Sequence, residues 1–251
     1  MRFFIILLLI VMVSCGSCSL KAQDSTVGVV LQKPDHARNH LFWMPTGITS
    51  TRGKLSIGMY ELFATQIGYS PTKYLQLNAA FSSLVAGYSN WSVGAKVQVL
   101  QSEESIVQGL AVGSDVGVLP QIGRSFIDNN RVIQTVTVAA TLGARSKQIH
   151  LSTVFIDIHN TRRYVQLYQV GGSIELKSMT DSRGVKLMSE LSYISSNPGT
   201  LSFISGIIGF RTYGSVFVAD LGGVYFPNRR PTYISGLRNS LYPYFSVMWY
   251  F

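Results

Sequence analysis

From about residue 41 onward, apolar and polar side chains alternate by twos through segments of about ten to fourteen residues, separated by turn clusters and without a sustained helical period. Leu75, Leu77, Ala79 and Phe81 alternate with Gln76, Asn78, Ala80 and Ser82. Trp91, Val93, Ala95, Val97 and Val99 alternate with Ser92, Gly94, Lys96 and Gln98, and Val132, Val136, Val138, Ala140 and Leu142 with Thr135, Thr137, Ala139 and Thr141. This spacing predicts strands with one greasy face and one small or polar face. The segments fall at 41–49, 54–69, 73–86, 91–101, 105–118, 132–144, 147–159, 163–177, 185–195, 201–212, 215–226 and 241–251.

Sandwich strands in water run to about five or six residues, whereas tilted membrane strands need about 9 to 11 to cross the hydrocarbon. The lengths here match the second. The predicted fold is all-β, a single transmembrane antiparallel up-and-down β-barrel of about 12 strands, with 10 or 14 as the alternatives. An even count puts both termini in the periplasm. The longest connections, 119–131 and 227–240, then lie outside, and 70–72, 101–104 and 145–146 form short periplasmic turns, although 178–184 is long for one. Pro45 and Pro243 fall in the first and last strands, which must pair to close the barrel. Proline cannot donate to a ladder, so the seam is where this register is most exposed.

The same register points Lys96, Asp115, Glu175, Lys177, Lys186, Glu190 and Asp220 inward. A dry sandwich core would not tolerate so many charges. A barrel lined this way holds either a narrow water path or a lumen filled by charges that pair with one another. Small inward residues at Gly109, Ala111, Gly113 and Gly117 leave space on one wall and favour the path. Tyr60, Tyr69, Tyr74, Trp91, Tyr193, Tyr225 and Trp249 lie near strand ends, where interfacial girdles of aromatic residues are expected.

The N-terminus changes the picture by adding an address. Arg2 precedes an apolar run from Phe3 to Val13, then small and polar residues lead to Lys21-Ala22-Gln23. That is the layout of a signal peptide over 1–23, and the run is too short for a spanning helix, which needs about 20 residues. Met12-Val13-Ser14-Cys15 resembles a lipobox, so cleavage at Cys15 competes with ordinary cleavage near Ala22 or Gln23. Ordinary cleavage removes both cysteines, Cys15 and Cys18, and with them any disulfide staple. Residues 24–40 then form a periplasmic segment or a short plug, and 41–251 the barrel. Losing Arg2 and Lys21 leaves 19 basic against 12 acidic residues, a net charge of about +7. Charged residues make up 13% of the chain and form no long run, which argues against nucleic acid as a partner.

The chain ends Leu241-Tyr242-Pro243-Tyr244-Phe245-Ser246-Val247-Met248-Trp249-Tyr250-Phe251, with Phe245, Val247, Trp249 and Phe251 on one strand face. This resembles the C-terminal insertion signal of Gram-negative outer-membrane proteins, and the resemblance implies recognition by the barrel-assembly machinery and residence among outer-membrane lipid. Leu41-Phe42-Trp43-Met44-Pro45-Thr46, Tyr60-Glu61-Leu62-Phe63 and Gly68-Tyr69-Ser70 are similar to motifs of small outer-membrane barrels of the Bacteroidota. That likeness implies a fold and a location, and no activity.

Candidate chemistry is sparse. His36 and His40 have the i, i+4 spacing of a helical metal pair but lack the glutamate of a zincin helix, so no metal or other cofactor is expected. His150 and His159 are an odd number of residues apart on one predicted strand, on opposite faces. No G-x-S-x-G, phosphate loop or Cys/His array occurs, and the chain is not expected to be an enzyme. The leading expectation is a narrow passive channel for small solutes, tilted toward anions by the net charge. The alternative is a closed structural or surface-interaction barrel that binds lipid or a partner through basic loops carrying Arg124, Arg131, Arg229, Arg230 and Arg238. A lipid hydrolase using His150 or His159 is third.

Overall fold

The computed structural model describes residues 37–60, 64–84, 88–102, 105–119, 131–144, 146–159, 163–180, 183–197, 202–227 and 241–251. The expected signal peptide over 1–23, most of 24–40, and the long connections with Arg124, Arg229, Arg230 and Arg238 lie outside them.

The alternating segments form twelve antiparallel strands: β1 Leu55–Tyr60, β2 Ala64–Tyr69, β3 Leu75–Leu84, β4 Tyr88–Gln101, β5 Val107–Leu119, β6 Arg131–Ala144, β7 Lys147–Ile158, β8 Arg163–Thr180, β9 Arg183–Asn197, β10 Ser202–Tyr213, β11 Phe217–Tyr225 and β12 Leu241–Tyr250. Each pairs with its sequence neighbours, and β1 pairs with β12 to close the barrel. Closure joins the first strand to the last from Ser56↔Tyr250 to Tyr60↔Ser246, so the sheet satisfies its backbone internally along that stretch. The outer wall carries exposed Ile57, Ile67, Leu77, Phe81, Val93, Val97, Leu151, Val170, Leu191, Ile204, Ile208 and Leu221. An apolar belt on this scale belongs against hydrocarbon rather than water. The protein is thus an outer-membrane type of barrel.

The count of twelve stands, but two of the expected strands are not where the alternation put them. Segment 54–69 folds back on itself as β1 and β2, with Tyr60 paired to Ala64 and Leu55 to Tyr69. Segment 41–49 is no strand at all. It lies inside the barrel, so the wall begins at Leu55 rather than residue 41. The expected strand 163–177 runs on to Thr180, and only 181–182 separate β8 from β9, which removes the anomalously long turn.

The seam avoids both prolines. Pro45 sits in the inner segment, bridged to His40. Pro243 pairs with Gly223 of β11 in an unbroken register. The seam pairs run only from Ser56↔Tyr250 to Tyr60↔Ser246. The Tyr250 amide bonds toward β11 and the Phe251 amide toward Leu55, so alternation turns the position of the missing Pro243 N–H toward β1, beyond the last seam pair. The proline costs the ladder nothing there.

The inner segment, residues 37–50, is a hairpin-like plug. The Leu41 amide donates to Met44 O at 2.9 Å and the Thr46 amide to Asn39 O at 3.1 Å. Its start, Ala37, packs with Tyr213, Val218, Met248 and Tyr250. Its middle, Leu41, Phe42 and Met44, packs with Met188, Ile207, Val224 and Tyr244 in an apolar cluster of the interior. Its end lies at the same mouth as Ala37, where β1 begins.

Candidate functional site

The plug is held by wall side chains that reach its backbone. Arg211 of β10 points inward and is 1% exposed. Nε and Nη2 donate to the two carboxylate oxygens of Asp220 at 2.7 and 2.9 Å. Nη1 donates to Ala37 O at 2.7 Å and His40 O at 3.0 Å, and Nη2 also to Leu41 O at 2.9 Å. All five guanidinium N–H groups are thereby used, and Ser246 Oγ donates to Asp220 at 3.0 Å. A buried charge survives when it is paired and fully hydrogen-bonded, and here the pairing doubles as an anchor.

Three further groups complete the attachment. Lys96 Nζ donates to Asn39 O at 2.9 Å and Thr46 O at 3.1 Å. Glu190 accepts the Trp43 and Met44 amides at 3.1 and 3.0 Å, with Gln169 and Ser192 also donating to it. Gln98 accepts the amide and hydroxyl of Thr49, Gln76 accepts the Ser50 amide, and Thr141 accepts the Gly47 amide. On this side the plug touches the wall backbone to backbone. A Cβ on Gly109 would lie 2.4 Å from Gly47 O, so only glycine fits.

These contacts reassign the inward residues. Lys96, Glu190 and Asp220 line the interior, and instead of forming a mutual charge network Lys96 and Glu190 bond the plug while Asp220 pairs with Arg211. Asp115 accepts a bond from Thr135 at 3.2 Å, Glu175 one from Tyr213 at 2.9 Å, and Lys186 sits over the Tyr213 ring, 5.2 Å from its centroid. The side chain of Lys177 lies outside the described set, as does that of Arg131. The room left by Gly109 is no water path, because the plug fills it. Phe245, Trp249 and Phe251 are exposed on the outer wall, with half-buried Val247 between them on the same face. Of the expected girdle aromatics, Tyr60 alone turns inward, donating to Gln66 Oε1 at 2.9 Å.

Arg211 was missed by sequence reasoning, although its signal was present. Ile208 and Phe210 are greasy and face out, so parity sends Arg211 in; only the pairing register, Arg211↔Asp220, reveals its partner. His150 faces inward, buried, with Thr141 Oγ1 at 3.0 Å and Ser173 Oγ at 3.4 Å, while His159 is exposed at the other end of the same strand. The gap beside His150, Ser173, Lys186 and Arg211 is about 10 Å³, roughly one water. His40 bonds Asn39 and packs edge-on against Tyr60, and among the described residues no three His, Cys, Asp or Glu groups could hold a metal.

Above the plug the lumen opens into a chamber of about 820 Å³. Phe42, Trp43 and Pro45 form its floor, and Gln66, Asn78, Asp115 and Thr135 are among its walls. A second hollow, about 540 Å³ and almost wholly apolar, lies on the outer wall between Tyr168, Tyr193 and Ile204, where lipid would fill it.

No protein-family model matches the chain, and no curated protein matches its sequence. Among solved structures it is similar to LpxR from Salmonella typhimurium, with a TM-score of 0.47 at 10% identity over 79% of this chain and 99% of that one. It is also similar to the outer-membrane expressed OmpT of Vibrio cholerae, with a TM-score of 0.39 at 10% identity over 75% of this chain and 64% of that one. The expectation that the chain is not an enzyme is corrected by this comparison. The lack of a familiar catalytic motif in a small barrel gives no ground for excluding catalysis.

Proposed function

We propose that the protein is a plugged outer-membrane barrel whose chamber binds a small ligand, with the plug closing the lumen beneath it. The supporting observation is the attachment of residues 37–50 to the inner wall through Arg211, Lys96, Glu190, Gln98, Gln76 and Thr141. With both termini in the periplasm, the chamber mouth would face outward, toward the long connections. A chamber of about 820 Å³ falls in the range of sites for small molecules.

The narrow passive channel becomes the state reached only when the plug leaves. Its anion preference would then follow from Lys96 and Arg211, released from the plug backbone. Planar-bilayer recordings of the full chain test this order: the intact protein stays silent. A steady open conductance from it would overturn the plugged reading. Released channels that preferred cations would remove the anion part.

A further inference from the structure

The barrel wall is very uneven. Strands β8 and β9 have 18 and 15 residues, whereas β1 and β2 have 6 each. At about 3.4 Å per residue and a tilt of roughly 40°, six residues raise the wall by about 15 Å, against an apolar band about 25 Å tall. Three residues separate Tyr60 from its partner Ala64, the last pair of β1 and β2 among the described residues. Above the last seam pair, Tyr60↔Ser246, the stretch of β12 from Leu241 to Phe245 has no strand partner on its β1 side among the described residues. Neighbouring β3 continues past its last β2 pair, Ala64↔Ser82, and there pairs with β4 alone among the described residues.

The chamber floor lies beside this notch. The Trp43 ring packs edge-on against Tyr244, 5.7 Å between centroids, and Tyr244 is two residues above Ser246 on β12. Trp43 is 43% exposed despite its place inside the barrel. Tyr60, Ala64 and Gln66, the rim of the low wall, line the same chamber. Gln66 and Asn78 each keep an amide NH2 that donates to no acceptor among the described residues.

We infer that the chamber opens sideways into the bilayer over the β1–β2 hairpin, and that its ligand is a membrane amphipath whose polar head enters the chamber while its acyl chain stays in the hydrocarbon. The inference rests on the chamber-binding reading above and adds the ligand's class and its route. Outward-facing Leu241, Phe245 and Phe81 flank the notch with apolar surface for the chain, and the amides of Gln66 and Asn78 offer hydrogen bonds to the head. A purely aqueous ligand would have no use for a wall lower than the membrane.

The test uses the three tryptophans. Trp91 and Trp249 face lipid, so Trp91→Phe with Trp249→Phe leaves Trp43 as the single reporter. The variant is reconstituted in phosphatidylcholine brominated on its acyl chains, and separately exposed to acrylamide in unbrominated vesicles. Trp43 is expected to lose most of its emission to the brominated lipid and to be quenched by acrylamide as well. A control carrying Trp43→Phe and Ile194→Trp in the same background places the reporter in the chamber behind the tall β9 wall, where brominated lipid leaves it bright. Quenching by acrylamide without quenching by lipid would overturn the sideways opening and leave the chamber reading intact. Equal lipid quenching of both reporters would overturn it too, as transfer through the wall. Protection of Trp43 from both agents would sink the chamber reading itself. If the double variant fails to fold, the emission lost from the wild type on Trp43→Phe supplies the same comparison.

Discussion

The lower and upper halves of the lumen are built from the same kind of strand, yet their polar residues do opposite things. Below, Arg211, Lys96, Glu190, Gln98 and Thr141 are consumed by the backbone of residues 37–50. Above, Gln66, Asn78, Asp115 and Thr135 line the chamber, away from the backbone of residues 37–50. Alternation makes a side chain point inward; it does not decide whether a peptide or a solvent space meets it there. That decision is local, and it turns on whether the wall leaves room for a backbone, as Gly109 does.

The comparison breaks most sharply at Arg211. Arg211→Met strips the donors from Ala37, His40 and Leu41 and leaves Asp220 buried without its cation, a loss of about 3–5 kcal/mol. The lost stability is read as a lower melting point of the SDS-gel mobility shift, together with the appearance of conductance in planar bilayers. Arg211→Lys should recover part of the stability and little of the closure, because an ammonium cannot fork between a carboxylate and three carbonyls.

Gly109→Val attacks the same half from the opposite wall. Its new carbons would meet Gly47, displacing the plug at a cost of about 1–3 kcal/mol and giving flickering conductance without touching any charge. Smaller still, Glu190→Gln keeps an acceptor for the Trp43 and Met44 amides but removes its charge, for on the order of 1 kcal/mol. In the upper half, Gln66→Ala should change stability by no more than about 0.5 kcal/mol and leave the bilayer silent. A conductance from Gln66→Ala equal to that from Arg211→Met would erase the distinction between the halves.

Much of the wall was legible because each membrane strand must face lipid on one side, and that requirement writes itself into every second residue. A short plug was one reading of 24–40, but its course through 41–50 was not legible, although residues 41–44, Leu-Phe-Trp-Met, are apolar four times running and lead into Pro45-Thr46-Gly47. A lumen-and-lipid strand alternates, so an unbroken run was already a poor fit. The hairpin at 54–69 hid for a different reason: no glycine, proline or other turn-forming cluster marks the turn at Glu61-Leu62-Phe63. The two displacements cancel, which is why the strand number survived. Lys96, Glu190 and Asp220 were readable as inward by parity alone. Their bonds to residues 37–50 and to Arg211 depend on contacts distant in sequence, which periodicity does not encode.

The two described ends of the plug lie at one mouth of the barrel, Ala37 among Tyr213 and Tyr250 and its other end beside Leu55, whose amide and carbonyl both bond to Phe251. A segment disposed in this way is unthreaded. It can be seated after the ring of strands has closed, or drawn back through that mouth, without breaking a single bond of the wall. Closure of the ring and closure of the lumen are therefore separable events, joined only by the short stretch between Ser50 and Leu55.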